Sequence, residues 1–482
     1  MKERPVSRIA IPRQSARQRR RNFEEVALGY TAAMAVTEAS RCLQCKNAKC
    51  IDGCPVGIDI PGFIKAITEE NFTAAIEILK SDNVLPGICG RVCPQESQCE
   101  QLCILDIKGQ SVAIGRLERF AADWERLQSK PVSAATGAAP SGKKVAVVGA
   151  GPAGLTAAAD LARMGHGVTI FESLHTPGGV LKYGIPDFRL PSAIVDEEVN
   201  NVKNLGVDIE LNSVIGKTET VDELLDRFDA VFLGTGAGLP LFLHIPGENL
   251  SGVYSANEFL TRVNLMHAYQ FPAYHTPVKI GKRVAVIGGG NVAMDAARAA
   301  LRLGADKVYV IYRRSEVEMP ARREEVENAV EEGIEFVFLA NPVRFSGDEK
   351  RNLTGIECIR MKLGEPDSSG RRRPVPQDGS QFQMELDVAI VALGTNPNPL
   401  ISRSTPGLEV NRWGTLVCDE ATGRTTRPGV WAGGDVVTGS ATVISAMGAA
   451  RKAARDIDDY LKRNTSPDPV WRKNQAGNDQ NR

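Results

Sequence analysis

The chain has 482 residues, 43% hydrophobic and 24% charged, an ordinary globular composition with room for about three domains. Lys plus Arg equals Asp plus Glu at 58 each, which lacks the basic excess of a nucleic-acid binder. No apolar run approaches the roughly 20 residues that cross a bilayer, and no apolar signal core follows Met1, so a cytoplasmic protein with no membrane partner is expected.

Residues 1–22 form a basic arm with Arg4, Arg8, Arg13, Arg17, Arg19, Arg20 and Arg21. The arm reads as a solvated or partner-docking segment, with a transit peptide as the alternative. Residues 23–128 show helical periodicity, as in Ile60 to Leu79 and Ile114 to Leu127, and are expected to form a small all-helical domain. Eight of the ten cysteines fall in it, between Cys42 and Cys103; only Cys358 and Cys418 lie outside. Clustered thiols without an export signal point to metal or redox chemistry rather than to disulfides.

The first cysteine group is Cys42-x-x-Cys45-x4-Cys50-x3-Cys54-Pro55. The second is Cys89-x3-Cys93-Pro94-x5-Cys99-x3-Cys103. Close thiolates ending in Cys-Pro resemble ferredoxin loops and favour two 4Fe–4S centres. Structural zinc, which more often uses separated C-x-x-C knuckles, is the rival.

The run of small residues, Pro and Gly over 129–142 is a linker. Next comes Lys144-Val-Ala-Val-Val-Gly-Ala-Gly-Pro-Ala-Gly154, a strand, glycine turn and helix start. Gly149, Gly151 and Gly154 let the backbone approach a pyrophosphate, and the following amides meet its charge, with Ala150, Pro152 and Ala153 in the same turn. The next strand, Val168-Thr-Ile-Phe171, ends in Glu172, placed to accept ribose hydroxyls.

A second unit opens with Arg283-Val-Ala-Val-Ile-Gly-Gly-Gly-Asn-Val-Ala293, in which Gly288, Gly289, Gly290, Asn291, Val292 and Ala293 form the turn. Its second strand, Lys307 to Tyr312, ends in Arg313 and Arg314 instead of an acid. Guanidinium groups there suit the 2′-phosphate of NADPH. Strand-like Asp229 to Gly236 and Asp387 to Thr395 echo each other.

These features, with Val430-Trp-Ala-Gly-Gly-Asp435 downstream, resemble the flavoproteins with two dinucleotide domains, the group that includes glutathione reductase. The resemblance implies FAD in the first site, with Gly434 and Asp435 at its ribitol. A helix from about Ala441 to Ala454, with Thr442 at its start, would point at the flavin ring. Gly179 would lie against the cofactor, and Lys182 and Arg189 near the flavin. It also implies an NADPH domain (280–393) inserted between two parts of the FAD domain (143–279 and 394–464), with a disordered tail over 465–482. The fold class is α/β, two Rossmann-like domains after a helical one. Disulfide reductases of this fold need a C-x-x-C pair near a nucleotide site, and residues 143–482 have none.

Cysteines, FAD motif and NADPH motif in this order resemble the small-subunit family of NADPH-dependent glutamate synthase. That family includes the amino-terminal half of dihydropyrimidine dehydrogenase and the large subunit of NADH-dependent reduced ferredoxin:NADP oxidoreductase, alias the sulfide dehydrogenase alpha subunit. The stretches Arg41-Cys-Leu-Gln-Cys45, Gly90-Arg-Val-Cys-Pro94, Gly115-Arg-Leu-Glu118, Tyr183-Gly-Ile-Pro186 and Met319-Pro-Ala-Arg322 carry the likeness, over about residues 22–462. Residues 55–64 look closest to the bifurcating subgroup.

The family resemblance implies crossed ligand sets. Cys42, Cys45, Cys50 and Cys103 would hold one cluster; Cys54, Cys93, Cys99 and Glu118 would hold the other. Cys89 is spare in that scheme and is the direct rival of Glu118. The implied activity is electron transfer from NADPH through FAD and two 4Fe–4S clusters to an electron-accepting partner, with no catalytic side chain named. The partner would be a glutamate synthase large subunit or, alternatively, a smaller flavoprotein. A zinc-bound docking module or a regulatory nucleotide-binding subunit is the alternative of another class.

Overall fold

The computed structural model describes residues 7–128, 137–367 and 370–463. Residues 129–136 of the expected linker and the whole expected tail lie outside them. No described helix is long and apolar enough to cross a membrane.

The first nucleotide domain is a five-stranded parallel sheet in the order Val430–Ala432, Ala230–Leu233, Lys144–Val148, Gly167–Phe171, Asp208–Glu210. The second repeats it as Val253–Ser255, Val388–Val391, Arg283–Ile287, Lys307–Tyr312, Glu335–Phe338. The central strands are largely apolar because helices cover both faces of a parallel sheet. In each sheet the strand before the glycine turn sits where the strand order reverses, the position at which open α/β sheets bind ligands.

The strand Val253–Ser255 belongs to the second sheet, so that domain starts before the expected boundary at 280. Too short to show a pattern of its own, the strand is defined only by its pairing. The two crossings of the chain, Leu239–Pro240 and Thr395–Asn396, pair antiparallel with each other. A three-stranded antiparallel sheet over 340–385 is added to the second domain.

The helical domain does not continue from Ile60 to Leu79 as one helix. Glu70 takes a left-handed backbone (φ 58°), and the Asn71 side chain caps a new helix by accepting the Ala74 N–H at 3.1 Å. Two helices result, Ile60–Thr68 and Phe72–Asp82. Asparagine at this position satisfies an orphan amide that a continuous helix would not have left. With Pro86–Val92 and Ile114–Arg126, these helices share one apolar core with the first nucleotide domain. Phe63, Ile64, Leu79, Ile88 and Leu117 pack in the same cluster as Val145, Leu155, Met447 and Ile457.

The amino-terminal arm differs from the expectation of a solvated segment. Arg17, Arg20 and Arg21 are exposed, but Arg19 is 1% exposed and pairs with Glu332 at 2.9 Å and Glu331 at 2.8 Å in the second nucleotide domain. Arg8 pairs with Glu100 at 2.7 Å, and the Ile9 N–H donates to Glu38 at 2.7 Å in the helical domain. The arm therefore ties the two domains together. Sequence could not show this, because the acids that receive the arginines lie about 300 residues away. Arg19→Ala is expected to cost about 3 kcal/mol by stripping a buried carboxylate of one partner, read as a lower denaturant midpoint, while Arg20→Ala leaves the midpoint unchanged.

Candidate functional site

At the first glycine turn, Gly149 has φ +102°, and a Cβ there would meet the Gly234 carbonyl oxygen at 2.6 Å. A Cβ at Gly154 would overlap the Gly149 carbonyl oxygen, whereas one at Gly151 would meet nothing within 4 Å. The turn is thus tight on the protein side and open on the other. Helix Pro152–Arg163 begins there without a side-chain cap, leaving its first amides for an anion. Val292, at the corresponding place in the second turn, is exposed.

Other expected flavin residues gather at this turn. A Cβ at Gly179 would stand 3.0 Å from Gly151 Cα, and one at Gly434 would stand 3.1 Å from Ala153 Cβ. Asp435 accepts the Ala441 N–H at 3.2 Å, and burial raises its carboxyl pKa. Thr442 caps helix Val443–Arg463 by accepting the Ser445 N–H at 3.2 Å. Tyr183, to which no role was assigned, has its hydroxyl pushed up to about 12 by burial and by nearby Asp435 and Glu172. Glu172 stands at the strand end and accepts the N–H of Ala150 and of Leu174, each at 2.8 Å.

Two expected flavin neighbours have their charges engaged elsewhere. Arg189 is held by Asp295 at 2.6 Å and Glu325 at 3.5 Å, both in the second nucleotide domain. Lys182 is held by Asp196 at 2.6 Å. A buried guanidinium needs carboxylates around it, and for Arg189 the ones that answer lie across the domain boundary.

In the second turn, a Cβ at Gly288 would overlap the Ala392 carbonyl oxygen, and helix Asn291–Arg302 again starts from an uncapped glycine, Gly290. Asn291 Oδ1 accepts the Arg322 N–H at 2.9 Å, and the Ala321 N–H reaches the Gly289 carbonyl at 3.2 Å. Arg322 continues into the helical domain, bonding the Arg91 carbonyl at 3.1 Å and Gln95 Oε1 at 3.0 Å. Arg314 is paired with Asp367 at 2.7 Å. Arg313 is exposed at the strand end, and partial desolvation and neighbouring Arg314 and Arg371 lower its guanidinium pKa. Crowded like charges of this kind suit a dianion.

The cysteines gather in crossed groups. Burial and the Cys103, Cys42 and Cys45 thiols push Cys50 up to about 12. Cys99 is raised by burial and by Glu100, Glu118, Cys93 and Cys54 around it. The first group is half-buried; in the second, Cys93 and Cys99 are buried and Cys54 half-buried.

Glu118 is buried, and its pKa is raised to about 8 by desolvation, opposed by a 2.6 Å bond from Asn83 Nδ2. Cys89 is fully buried, with its Sγ 3.6 Å from Met447 Sδ. Its pKa is raised by adjacent Cys93 and by burial. Among the described residues no three donors close on one point as a single metal ion would need. Thiolates at the corners of a four-iron cube stand wider apart than those on one ion. The donors, thiols with one carboxylate, fit such cubes in kind and number.

A short distance separates the two sites. Helix Val443–Arg463, which starts at the flavin residues, runs over the Cys54-Pro55 loop. A Cβ at Gly448 would stand 2.6 Å from the Pro55 carbonyl oxygen, and Arg451 Nη1 bonds the Val56 carbonyl at 3.2 Å. The residues 90–94 and 115–118 meet likewise, because a Cβ at Gly90 would stand 2.7 Å from Arg119 Cα. That crossing brings Glu118 near Cys54, Cys89 and Cys99. Met447, Gly448 and Asn83 carry no mark in the sequence that could have singled them out.

The family model described as dihydropyrimidine dehydrogenase domain II, 4Fe-4S cluster, matches residues 19–130, and the pyridine nucleotide-disulphide oxidoreductase model matches 143–453. The chain is 42% identical to the NADP(+)-dependent formate dehydrogenase subunit beta of Moorella thermoacetica, over 88% of this chain and 61% of that longer one. It is 37% identical to the glutamate synthase [NADPH] small chain of Halomonas elongata, over 95% of this chain and 97% of that one. In fold it is similar to Mycobacterium tuberculosis FprA, solved in complex with NADPH, with a TM-score of 0.57 at 22% identity over 70% of this chain and 89% of that one. The first match places the cysteines with iron–sulfur proteins rather than zinc modules.

In Arg313→Ala, KM for NADPH is expected to rise about tenfold or more while kcat/KM with NADH is unchanged, a comparison steady-state kinetics makes directly. A 4Fe–4S domain packed on two dinucleotide domains makes this chain an FAD- and NADPH-dependent oxidoreductase, and it belongs to the glutamate synthase small-chain family.

Proposed function

We propose that the chain takes hydride from NADPH at the second glycine turn and hands single electrons to a partner subunit by way of its two cysteine groups. The observation that carries this reading is the contact of Gly448 with Pro55, which sets the flavin-site helix directly on the loop of the buried cysteine group. When bound, FAD exchanges hydride with nicotinamide and single electrons with iron–sulfur clusters, chemistry that no side chain here supplies.

The protein's own residues divide the remaining work. The first turn, Gly149 to Gly154, accepts the FAD pyrophosphate, and Asp435 the ribitol. The uncapped start of Asn291–Arg302 accepts the NADPH pyrophosphate, with Arg313 at the 2′-phosphate. Cys54, Cys93, Cys99 and Glu118 would hold the inner cluster, and Cys42, Cys45, Cys50 and Cys103 the outer one. The outer set is half-buried, so electrons leave from that side. Glutamate synthase large subunit is the partner that the small-chain relatives imply. A second reading, in which another redox protein takes the electrons, is favoured by the higher identity to the formate dehydrogenase subunit. Co-purification at native expression distinguishes the two.

Gly448→Val is expected to cost about 1–3 kcal/mol by overpacking and to slow NADPH-driven bleaching of the iron–sulfur absorption, while flavin bleaching by NADPH stays fast. Equal rates for both in the variant would remove the proposed path. For the eighth ligand, Glu118→Ala is expected to change the electron paramagnetic resonance signal of one cluster, and Cys89→Ala to leave both signals as they are. The reverse pattern would assign Cys89 instead.

A further inference from the structure

Glu118 is an unusual group for its place. It is buried, among the described residues no cation faces it, and it lies among the Cys54, Cys89 and Cys99 thiols. Among the described residues one side chain touches it as a donor. Asn83 Nδ2 bonds Glu118 Oε1 at 2.6 Å, and the other carboxylate oxygen has no hydrogen-bond partner.

Asn83 is itself fixed on every side. It closes helix Phe72–Asp82, its own N–H donating to the Leu79 carbonyl at 2.8 Å, and it is fully buried. Its amide oxygen accepts the Leu85 N–H at 2.9 Å and lies 3.7 Å from Cys89 Sγ. A backbone N–H can only meet an oxygen, so the amide cannot flip, and its NH2 must face Glu118. Cys89 backs this arrangement from the side of Met447. With one carboxylate oxygen pinned by a rigid donor, the free oxygen is left for the thiol group.

We infer that Asn83 is the positioning residue for the Glu118 ligand: it pins Oε1, so that the second oxygen is presented to the cluster of Cys54, Cys93 and Cys99. This rests on the reading of Glu118 as a ligand. Partners that orient metal-binding carboxylates tune the site nearly as much as the ligands themselves. Removing an N–H donor from the ligand, or setting a negative oxygen beside it, makes the ligand a stronger electron donor and lowers that cluster's midpoint.

The test is a redox titration of anaerobically purified holoprotein, followed by electron paramagnetic resonance. Asn83→Asp keeps the shape and the oxygen facing Leu85 but replaces the donor. The expected result is a lower midpoint and altered line shape for one cluster, with the other cluster, the FAD content and NADPH bleaching of the flavin unchanged. Asn83→Ala, which also loses the donor and adds no charge, should shift the same cluster in the same direction, and it serves if the aspartate variant does not fold. In a Glu118→Cys background the neutral Asn83 substitution should have no effect, since no carboxylate remains to be positioned. A shift that persists there would show a field effect and overturn the inference. Unchanged spectra in the Asn83 variants, beside altered spectra in Glu118→Ala, would overturn it while leaving the ligand reading intact. Unchanged spectra in Glu118→Ala would remove the ligand reading, and the role of Asn83 with it.

Discussion

At Gly448 the helix Val443–Arg463 lies against the backbone of Pro55, and no side chain larger than hydrogen fits between them. Electrons pass usefully only between centres held close together. The protein meets that requirement by building both sites into one rigid body. The core that fills the helical domain runs without a break under the first parallel sheet. Interiors packed at crystal-like density do not let such layers slide. Residues 137–142 before that sheet are pinned as well, with the Ala138 N–H on the Arg163 carbonyl at 2.8 Å and the Ser141 N–H on the Gly165 carbonyl at 2.8 Å.

The second nucleotide domain is attached by other means. Its junction joins an apolar contact, in which Phe188 and Val26 enter that domain's core, to an ionic network: Arg19 from the arm, Arg189 from the first domain, and Arg298 and Arg302 share Asp295, Glu325 and Glu332. The rings and guanidinium groups interleave, with Arg302 4.1 Å and Arg298 4.8 Å from the centre of the Phe188 ring. Such a network contributes little net stability compared with an apolar core, but it fixes one arrangement of three segments. Arg322 adds a link from the second glycine turn to the helices that carry the inner cysteines. The nicotinamide site is thereby kept in register with the body that holds the flavin and the clusters.

Cys50, Cys54 and Cys99 all have raised pKa values, so their thiols carry protons that a cluster must displace. The raised Glu118 carboxyl follows the same rule.

Much of this was legible in the sequence. The glycine turns, the strand pairs around them and the arginines after Tyr312 follow local rules, because a tight turn between a strand and a helix needs particular residues at fixed spacing. The cysteine spacing pointed to clusters for the same reason. The crossed grouping came from family resemblance, not from spacing. Other features depend on residues far apart in sequence. Arg189 was expected at the flavin and is held across the domain boundary, because carboxylates supplied by other segments decide where a buried charge can lie. The arm was read as solvated for want of its distant acids. The break at Asn71 was missed because apolar periodicity ran on through it. Local chemistry, then, determined the elements and the cofactor types. Only tertiary packing decided which thiols share a group, that Asn83 faces Glu118, and that Gly448 meets Pro55, since those contacts join segments whose separation no local pattern encodes.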